Sequence, residues 1–422
     1  MAREFKDSGI EWIGQIPKEW KMARGKYLFS VLNGYAFDSS LFTNDTNMMP
    51  LIRIRDINNS ETEAYYMGDY SSDYIVQKGE VLVGMDGDFN VAKWKGSDAL
   101  LNQRVCKLNV FSEKYISLYA YYILPMLLKT KNDVTYATTV KHLSSNDILN
   151  FDFIVPTITE QQKIADYLDK VCGEIDEMVA LQETMIEELK AYKQSVITEA
   201  VTKGLNPNAP MRNSGIDWIG EIPKHWSTTK IKKIARTNSG STPSNISDGE
   251  NSNIVWIRTT DINDDVVYDS SLHLTSEEYS SASCPMLDEG TCVVAMYGGG
   301  GTIGKSGMLG VKATINQALC SMEVGDSFTG EYLFCILRSV RYYWMKYAVG
   351  TRKDPNINQE IVRNMIIPFP PIDEQRAIAT YLDTKCSEID SLIALKQAKI
   401  EELKEYKKSV IYEYVTGKKE VV

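Results

Sequence analysis

The octapeptide Gly299–Ser306, GGGTIGKS, has the residue types and spacing of a phosphate-cradling loop, GxxxxGK[ST], and follows the apolar run TCVVAMY. That chemistry needs a helix starting at the lysine, so that its N-terminal N–H groups face the phosphate. The residues after Lys305 are SGMLGVKATINQ, with two further glycines, no amphipathic period and a β-like alternation. A Gly-rich hairpin is therefore the expected structure, and the nucleotide-binding reading is the weaker alternative. The other chemistry-bearing residues are few. Three histidines, His142, His225 and His273, lie in unrelated contexts with no ligand spacing between them, which argues against a metal or acid–base site. Seven scattered cysteines include no CxxC pair, so neither a disulfide framework nor a zinc site is expected. The sequence points to no catalytic residue, no metal and no cofactor.

The elements around these residues are organised as a tandem repeat. Ser8–Trp20 (SGIEWIGQIPKEW) and Ser214–Trp226 (SGIDWIGEIPKHW) share ten of thirteen positions at an offset of 206. Pro156–Thr202 and Pro370–Thr416 share 28 of 47 positions at an offset of 214. Between the repeated blocks lie two dissimilar segments, Lys21–Val155 and Ser227–Phe369, each long enough for a domain. They keep only sparse anchors: IRIRDIN (52–58) against IRTTDIN (257–263), and Asn102-Gln103 against Asn316-Gln317. The chain of 422 residues thus divides into 1–155, 156–204, 205–369 and 370–422.

Each repeated block reads as one long helix. Glu160–Thr202 has no proline and a single glycine. Its apolar positions Leu168, Cys172, Ile175, Val179, Ile186, Leu189 and Val196 alternate at three and four, a heptad seam interrupted by Gln182 and Lys193. The copy keeps the register at Leu382, Cys386, Ile389, Ile393, Ile400, Leu403 and Val410, interrupted by Lys396 and Lys407. A one-striped helix needs a partner. Two copies in one chain, each returning from its own domain, pair most simply with each other and antiparallel, giving pseudo-twofold symmetry; a homodimeric coiled coil is the alternative. Cys172 and Cys386 occupy matching seam positions and read as small buried apolar residues.

The two dissimilar segments read as mixed α/β domains. Strands are expected at Leu51–Ile57, Val81–Met85, Ile254–Arg258 and Thr291–Tyr297, and helices at Ile116–Lys129 and Tyr332–Tyr347. The formal net charge of −10 argues against a generally basic nucleic-acid binder. A regional count changes that inference, because 156–204 alone carries five basic and ten acidic residues. The domains hold local basic clusters and part of a high content of Tyr (24) and Trp (7), suited to contacts at a binding surface. No run approaches the ~18 apolar residues of a membrane span, and the start has no apolar leader. A soluble cytoplasmic protein is expected.

The full length of the chain resembles the specificity subunits of type I restriction–modification systems. The motifs carrying the likeness are DSGIEWIGQIPKEW and its copy, the PxxxEQxxIAxYLD helix starts at Pro156 and Pro370, and the IEELKxYKxSVI helix bodies. The resemblance implies two target recognition domains, each reading one half of a bipartite double-stranded DNA sequence. It also implies antiparallel helices that fix the spacer and dock two methyltransferase subunits, through which restriction subunits join. Such a subunit is not itself an enzyme, and the sequence contains no [DNS]PP[YFW] adenine-methyltransferase motif. Domains this dissimilar fit an asymmetric target.

On that reading, side chains that reach base edges specify sequence while Lys and Arg on phosphates set position. The candidates in the first domain are Tyr35, Phe37 and Ser39 in the loop 34–39, Arg55, Lys93, Lys95, and Thr138, Thr139 and Lys141. In the second they are Ser241, Thr242, Ser244 and Asn245, then Thr259 and Thr260, Lys305, Arg352 and Lys353. Arg53 and Arg258, beside strand apolars, read as scaffold. The competing class is a coiled-coil adaptor without DNA readout.

Overall fold

The computed structural model describes residues 3–134, 142–243, 252–282, 284–298, 301–350 and 355–421. The chain forms two compact units, one made of Met1–Gln182 with Ala398–Val422, the other of Glu183–Gln397. Each contains one mixed α/β domain, half of the long helix Ile158–Lys203 and half of the long helix Ile372–Val415.

In the first unit the domain carries an antiparallel sheet in the order Val91–Lys93, Val81–Gly84, Val105–Val110, Phe29–Asn33. A second sheet contains the parallel pair Met49–Ile52 and Ala99–Leu101. The apolar helix Ser117–Val134 packs against the first sheet. In the second unit the corresponding sheet runs Ala235–Ser239, Leu319–Val324, Cys292–Ala295, Ser306–Leu309, with Asp265–Val267 added in parallel at its edge. The corresponding parallel pair is Ile254–Ile257 with Thr314–Ile315.

Two expected elements are shorter than their hydrophobic runs suggest. The strand expected at Leu51–Ile57 ends at Ile52, because the Asp56 carboxylate accepts the Arg53 N–H (3.0 Å) and folds the chain into a turn. The helix expected at Tyr332–Tyr347 runs from Gly330 to Ser339 and continues only as a separate 3-10 turn, Tyr343–Lys346. The glycine-rich segment is a hairpin: Cys292–Ala295 pairs antiparallel with Ser306–Leu309. A strand therefore begins at Ser306, where a phosphate-binding loop would need a helix N-terminus.

The repeated motifs turn out to be clamps. SGIxWIG makes a hairpin that seats Ile13, Ile16 and Trp20 in one core, and Ile219, Ile222 and Trp226 in the other. Trp20 Nε1 donates to Glu160 Oε1 at 3.1 Å; Trp226 Nε1 donates to Glu374 Oε2 at 2.9 Å. The next residue of each PxxxEQ start is a fully buried glutamine. Gln161 donates to the carbonyls of Lys114 and Pro156 and accepts from Ile116 N–H; Gln375 does the same with Ser327, Pro370 and Thr329. A buried amide satisfied on both sides fixes the start of the long helix to its domain.

The helices pair antiparallel within each unit. In the first, Tyr167 packs on Tyr414 (ring centroids 4.5 Å) and Lys407 pairs with Asp176 at 2.6 Å. In the second, Lys396 Nζ lies 3.2 Å from Met185 Sδ and Lys193 pairs with Asp390 at 2.6 Å. The repeat offset of 214 exchanges the two ion pairs, so both units use one register. The heptad positions are buried or half-buried, and two polar interruptions of the seam, Lys193 and Lys407, are the members of these ion pairs. Tyr119 Oη donates to the Val415 carbonyl and Tyr332 Oη to that of Val201, both at 3.0 Å, so each domain helix also holds a long-helix C-terminal end.

Candidate nucleic-acid interface

The sparse anchors shared by the two domains converge at one structural junction in each unit, at the C-terminal ends of the parallel strand pair. In the first unit Asn102 N–H donates to the Ile52 carbonyl (3.2 Å), Tyr35 N–H to Leu101 (2.9 Å) and Gln103 N–H to Tyr35 (2.8 Å). In the second, Asn316 N–H donates to Ile257 (3.0 Å) and Ser241 N–H to Ile315 (3.2 Å). The approach is so close that only glycine fits at the crossing. A Cβ on Gly34 would stand 2.0 Å from the Asn102 carbonyl oxygen, and one on Gly240 1.9 Å from that of Ile315.

Beside the crossing lies the R-x-x-D turn. Arg53 and Arg258 each hold the aspartate three residues on, Arg258 N–H reaching Asp261 Oδ2 at 2.8 Å. Their far ends are also engaged, Arg53 with Glu63 and Arg258 with Ser271. The two inner positions of the turn are free to differ: Ile54-Arg55 in one unit, Thr259-Thr260 in the other. Each unit thus brings a Gly-x loop, a two-residue turn and an Asn-Gln pair to one place, with the backbone held and the side chains unlike.

At this junction Tyr35 is half exposed and its ring packs on Phe37 (5.1 Å) and Tyr74 (5.2 Å). Arg55 is exposed, 3.7 Å from Glu63. Ser39 is exposed in the 3-10 turn capped by Asp38, whose carboxyl is held below its usual range chiefly by the Ser40 backbone N–H and then by the Ser40 hydroxyl. On the other unit Ser241 is half-buried and the exposed Thr242 hydroxyl donates to Gln317 Oε1. Thr259 is half-buried and Thr260 exposed.

Other candidates fall elsewhere. Phe37 is buried in a small core with Leu51, Tyr66 and Leu100, so its ring supports Tyr35 instead of facing solvent. Lys93, on the edge strand of the first sheet, reaches across to Asp169 of the long helix at 2.7 Å, with exposed Lys95 just beyond its strand. Lys305 is half-buried in the glycine-rich hairpin, its carbonyl accepting from Ala295 N–H. Thr138, Thr139, Lys141, Ser244, Asn245, Arg352 and Lys353 lie outside the described residues. Residue types and spacing did not single out Tyr74 or Gln317, nor Arg104, which comes directly after the Asn-Gln anchor; the shared Asn-Gln pair was the signal for the last two.

Among the described residues no group of three His, Cys, Asp or Glu could hold a metal ion, and no helix is long and apolar enough to cross a membrane. All seven cysteines are buried and free. Burial pushes the Cys172 thiol up to about 11 and those of Cys106, Cys320 and Cys335 up to about 12.

One scaffold, used twice with different side chains at the same junction, defines a tandem recognition protein. A family model described as the type I restriction modification DNA specificity domain matches residues 17–191 and again 223–405. The chain is 30% identical over 411 residues to the type I restriction enzyme EcoBI specificity subunit of Escherichia coli, covering 93% of this chain and 84% of that one. It is 24% identical over 358 residues to the MjaVIII specificity subunit of Methanocaldococcus jannaschii, covering 82% and 81%. In fold it is similar to a chain from a solved structure of a type I restriction–modification system (TM-score 0.72, 14% identity, 95% and 98% covered). It is also similar to the HsdS subunit of Thermoanaerobacter tengcongensis (TM-score 0.51, 16% identity, 95% and 98% covered). The chain belongs to the type I restriction–modification specificity subunits, with two recognition domains in one polypeptide.

Proposed function

We propose that the two domains, 1–155 and 205–369, each read one half of a bipartite, asymmetric double-stranded DNA target, and that the helices 156–204 and 370–422 set the spacer between the halves. The carrying observation is the pair of equivalent junctions with unlike side chains: Tyr35 and Arg55 in one, Ser241, Thr242, Thr259 and Thr260 in the other. A fixed backbone with replaceable side chains is what a reader of base edges requires. Lys93, Lys95, Lys305 and the candidates in 138–141, 244–245 and 352–353 serve in this reading as phosphate or flanking contacts.

The long helices dock two methyltransferase subunits, and restriction subunits join through them. Two equivalent docking faces are supported by a repeated set of exposed apolar side chains. The first unit exposes Met178, Leu181 and Tyr406; the second exposes their counterparts Leu392, Leu395 and Tyr192. Such residues on a charged helix mark interaction surfaces. The chain itself catalyses nothing and carries no cofactor; it works in the cytoplasm, where its DNA and partners are.

The test is methylation mapping of DNA from cells carrying the adjacent methyltransferase, with and without this chain. A bipartite motif that vanishes without the chain is the expected result. Replacing 21–155 with another such domain should change one half of the motif and leave the other. A heptad added at matched places in both helices should lengthen the spacer. Unaltered methylation without the chain, the methyltransferase being active, would reject the reading.

A further inference from the structure

Among the described residues three that are not glycine have a left-handed backbone, Phe89, Arg104 and Asp264. One of them, Arg104 with φ 74°, lies immediately after the Asn102-Gln103 anchor of the first junction. A long side chain is disfavoured there and glycine fits with less strain. The surroundings hold the conformation: Met85 N–H donates to the Arg104 carbonyl at 2.9 Å and Gln103 N–H to the Tyr35 carbonyl at 2.8 Å. The second unit keeps one of these hydrogen bonds, Met296 N–H donating to the Ala318 carbonyl at 2.8 Å, but Ala318 is not left-handed. The equivalent position thus presents an arginine in one unit and a buried alanine in the other.

The Arg104 side chain is 57% exposed, and its Nε lies 3.6 Å from Asp86 Oδ2. Asp86 is itself held at Oδ1 by His142 Nδ1 at 2.7 Å. This leaves both η nitrogens of Arg104 without a protein partner among the described residues. At 3.6 Å the Asp86 contact is an ion pair and not a hydrogen bond; it holds the guanidinium near the junction and leaves open the planar two-donor edge whose shape matches O6 and N7 of guanine.

We propose that Arg104 is a base-reading residue of the first domain, donating through its η nitrogens to one guanine in the major groove, with Asp86 and His142 as positioning residues. The inference rests on the reading that this domain binds DNA. Its test maps the methylated motif produced by the assembled complex with Arg104→Ala, Arg104→Gly and Arg104→Lys. The glycine variant suits the left-handed backbone, so it removes the side chain without adding strain; the lysine variant keeps the charge and loses the fork.

In all three variants, one guanine of the half-site assigned to this domain should lose its preference over other bases by about tenfold, with the second half-site unaltered. If methylation falls too low to map, competition binding by the complex to duplexes carrying each of the four bases at that position reads the same preference. An unaltered motif with Arg104→Gly would overturn the proposal. So would a uniform weakening at all sequences with a salt slope shallower by about one, the mark of a phosphate contact. The underlying reading fails separately, if exchanging 21–155 leaves both half-sites unaltered.

Discussion

The junction at Gly34, Asn102 and the Arg53–Asp56 turn can be laid against the one at Gly240, Asn316 and the Arg258–Asp261 turn. Two of the hydrogen bonds that build them correspond, Asn102 to Ile52 with Asn316 to Ile257 and Tyr35 to Leu101 with Ser241 to Ile315, while that of Gln103 to Tyr35 belongs to the first alone among the described residues. The outward residues do not correspond in chemistry. One unit shows a tyrosine and two arginines, the other a serine and threonines, with a buried alanine standing opposite Arg104. Positions that are alike are those whose backbone or buried polar atoms are engaged. Positions that differ include the exposed ones, Tyr35, Arg55 and Arg104 in one unit and Thr242 and Thr260 in the other. The structure therefore separates the positions that hold the junction from those that vary on it.

The most severe way to break the comparison is to add one carbon where the backbones cross. Gly34→Ala and Gly240→Ala place a Cβ about 2 Å from a carbonyl oxygen, so a junction must open. Destabilisation of at least about 3 kcal/mol is expected, above the usual overpacking cost because the obstacle is main chain. Thermal unfolding reads the loss. Motif mapping should show one half-site lost in each variant, a different half in each.

Next come the buried glutamines. Gln161→Ala leaves the Ile116 N–H and the Lys114 and Pro156 carbonyls without their side-chain partner; Gln375→Ala does the same to Thr329, Ser327 and Pro370. Each should cost roughly 2–4 kcal/mol, the penalty for stranding buried polar groups. Hydrogen exchange should show the loss confined to the unit that carries the substitution. Equal losses would sharpen the equivalence of the two clamps, and a large inequality would break it.

These clamps show why the sequence was legible where it was. The tandem organisation, the heptad seam and the glycine-rich hairpin followed from the repeats and from period. The role of the EQ dipeptide did not: a buried glutamine and an exposed one look alike in a helix of Glu, Lys and Gln. Phe37 was legible as an aromatic near the junction, but burial against Leu51 and Tyr66 depends on strands that come from distant sequence. The Asn-Gln anchor marked the place of Arg104 but not its part in the junction, because neither its left-handed backbone nor the approach of Asp86 has a local signature.

A smaller effect is expected at the helix ion pairs. Lys193–Asp390 and Lys407–Asp176 are half exposed, so each contributes about 0.5 kcal/mol, less at high salt. Lys193→Glu should lower the unfolding midpoint slightly at low salt, and adding Asp390→Lys should restore it. The symmetric pair tested as Lys407→Glu with Asp176→Lys should behave alike. A difference between the pairs would mean that the shared register does not carry a shared energy.

The smallest effect separates the two tryptophan–glutamate clamps. In the first, Glu160 meets Arg3 as well as Trp20, and Arg3 also holds Glu19. In the second, Glu374 meets His225, which stands where the first unit has Glu19. Burial pushes the Glu160 carboxyl up, but hydrogen bonds from Trp20, Thr157 and Arg3 together outweigh it and leave the pKa lowered from 4.5. A carboxyl depressed in the folded state adds stability that is fully present above its unfolded pKa, and this is lost as pH falls through the folded value. Glu160→Gln should therefore shrink the stability difference between pH 6 and acid conditions below about pH 4.5, where the wild-type carboxylate takes up its proton. Unfolding midpoints tracked from pH 6 to pH 3 measure it. An acid limb of unaltered slope in Glu160→Gln would show that the arginine-bearing clamp adds nothing that the tryptophan hydrogen bond does not already supply.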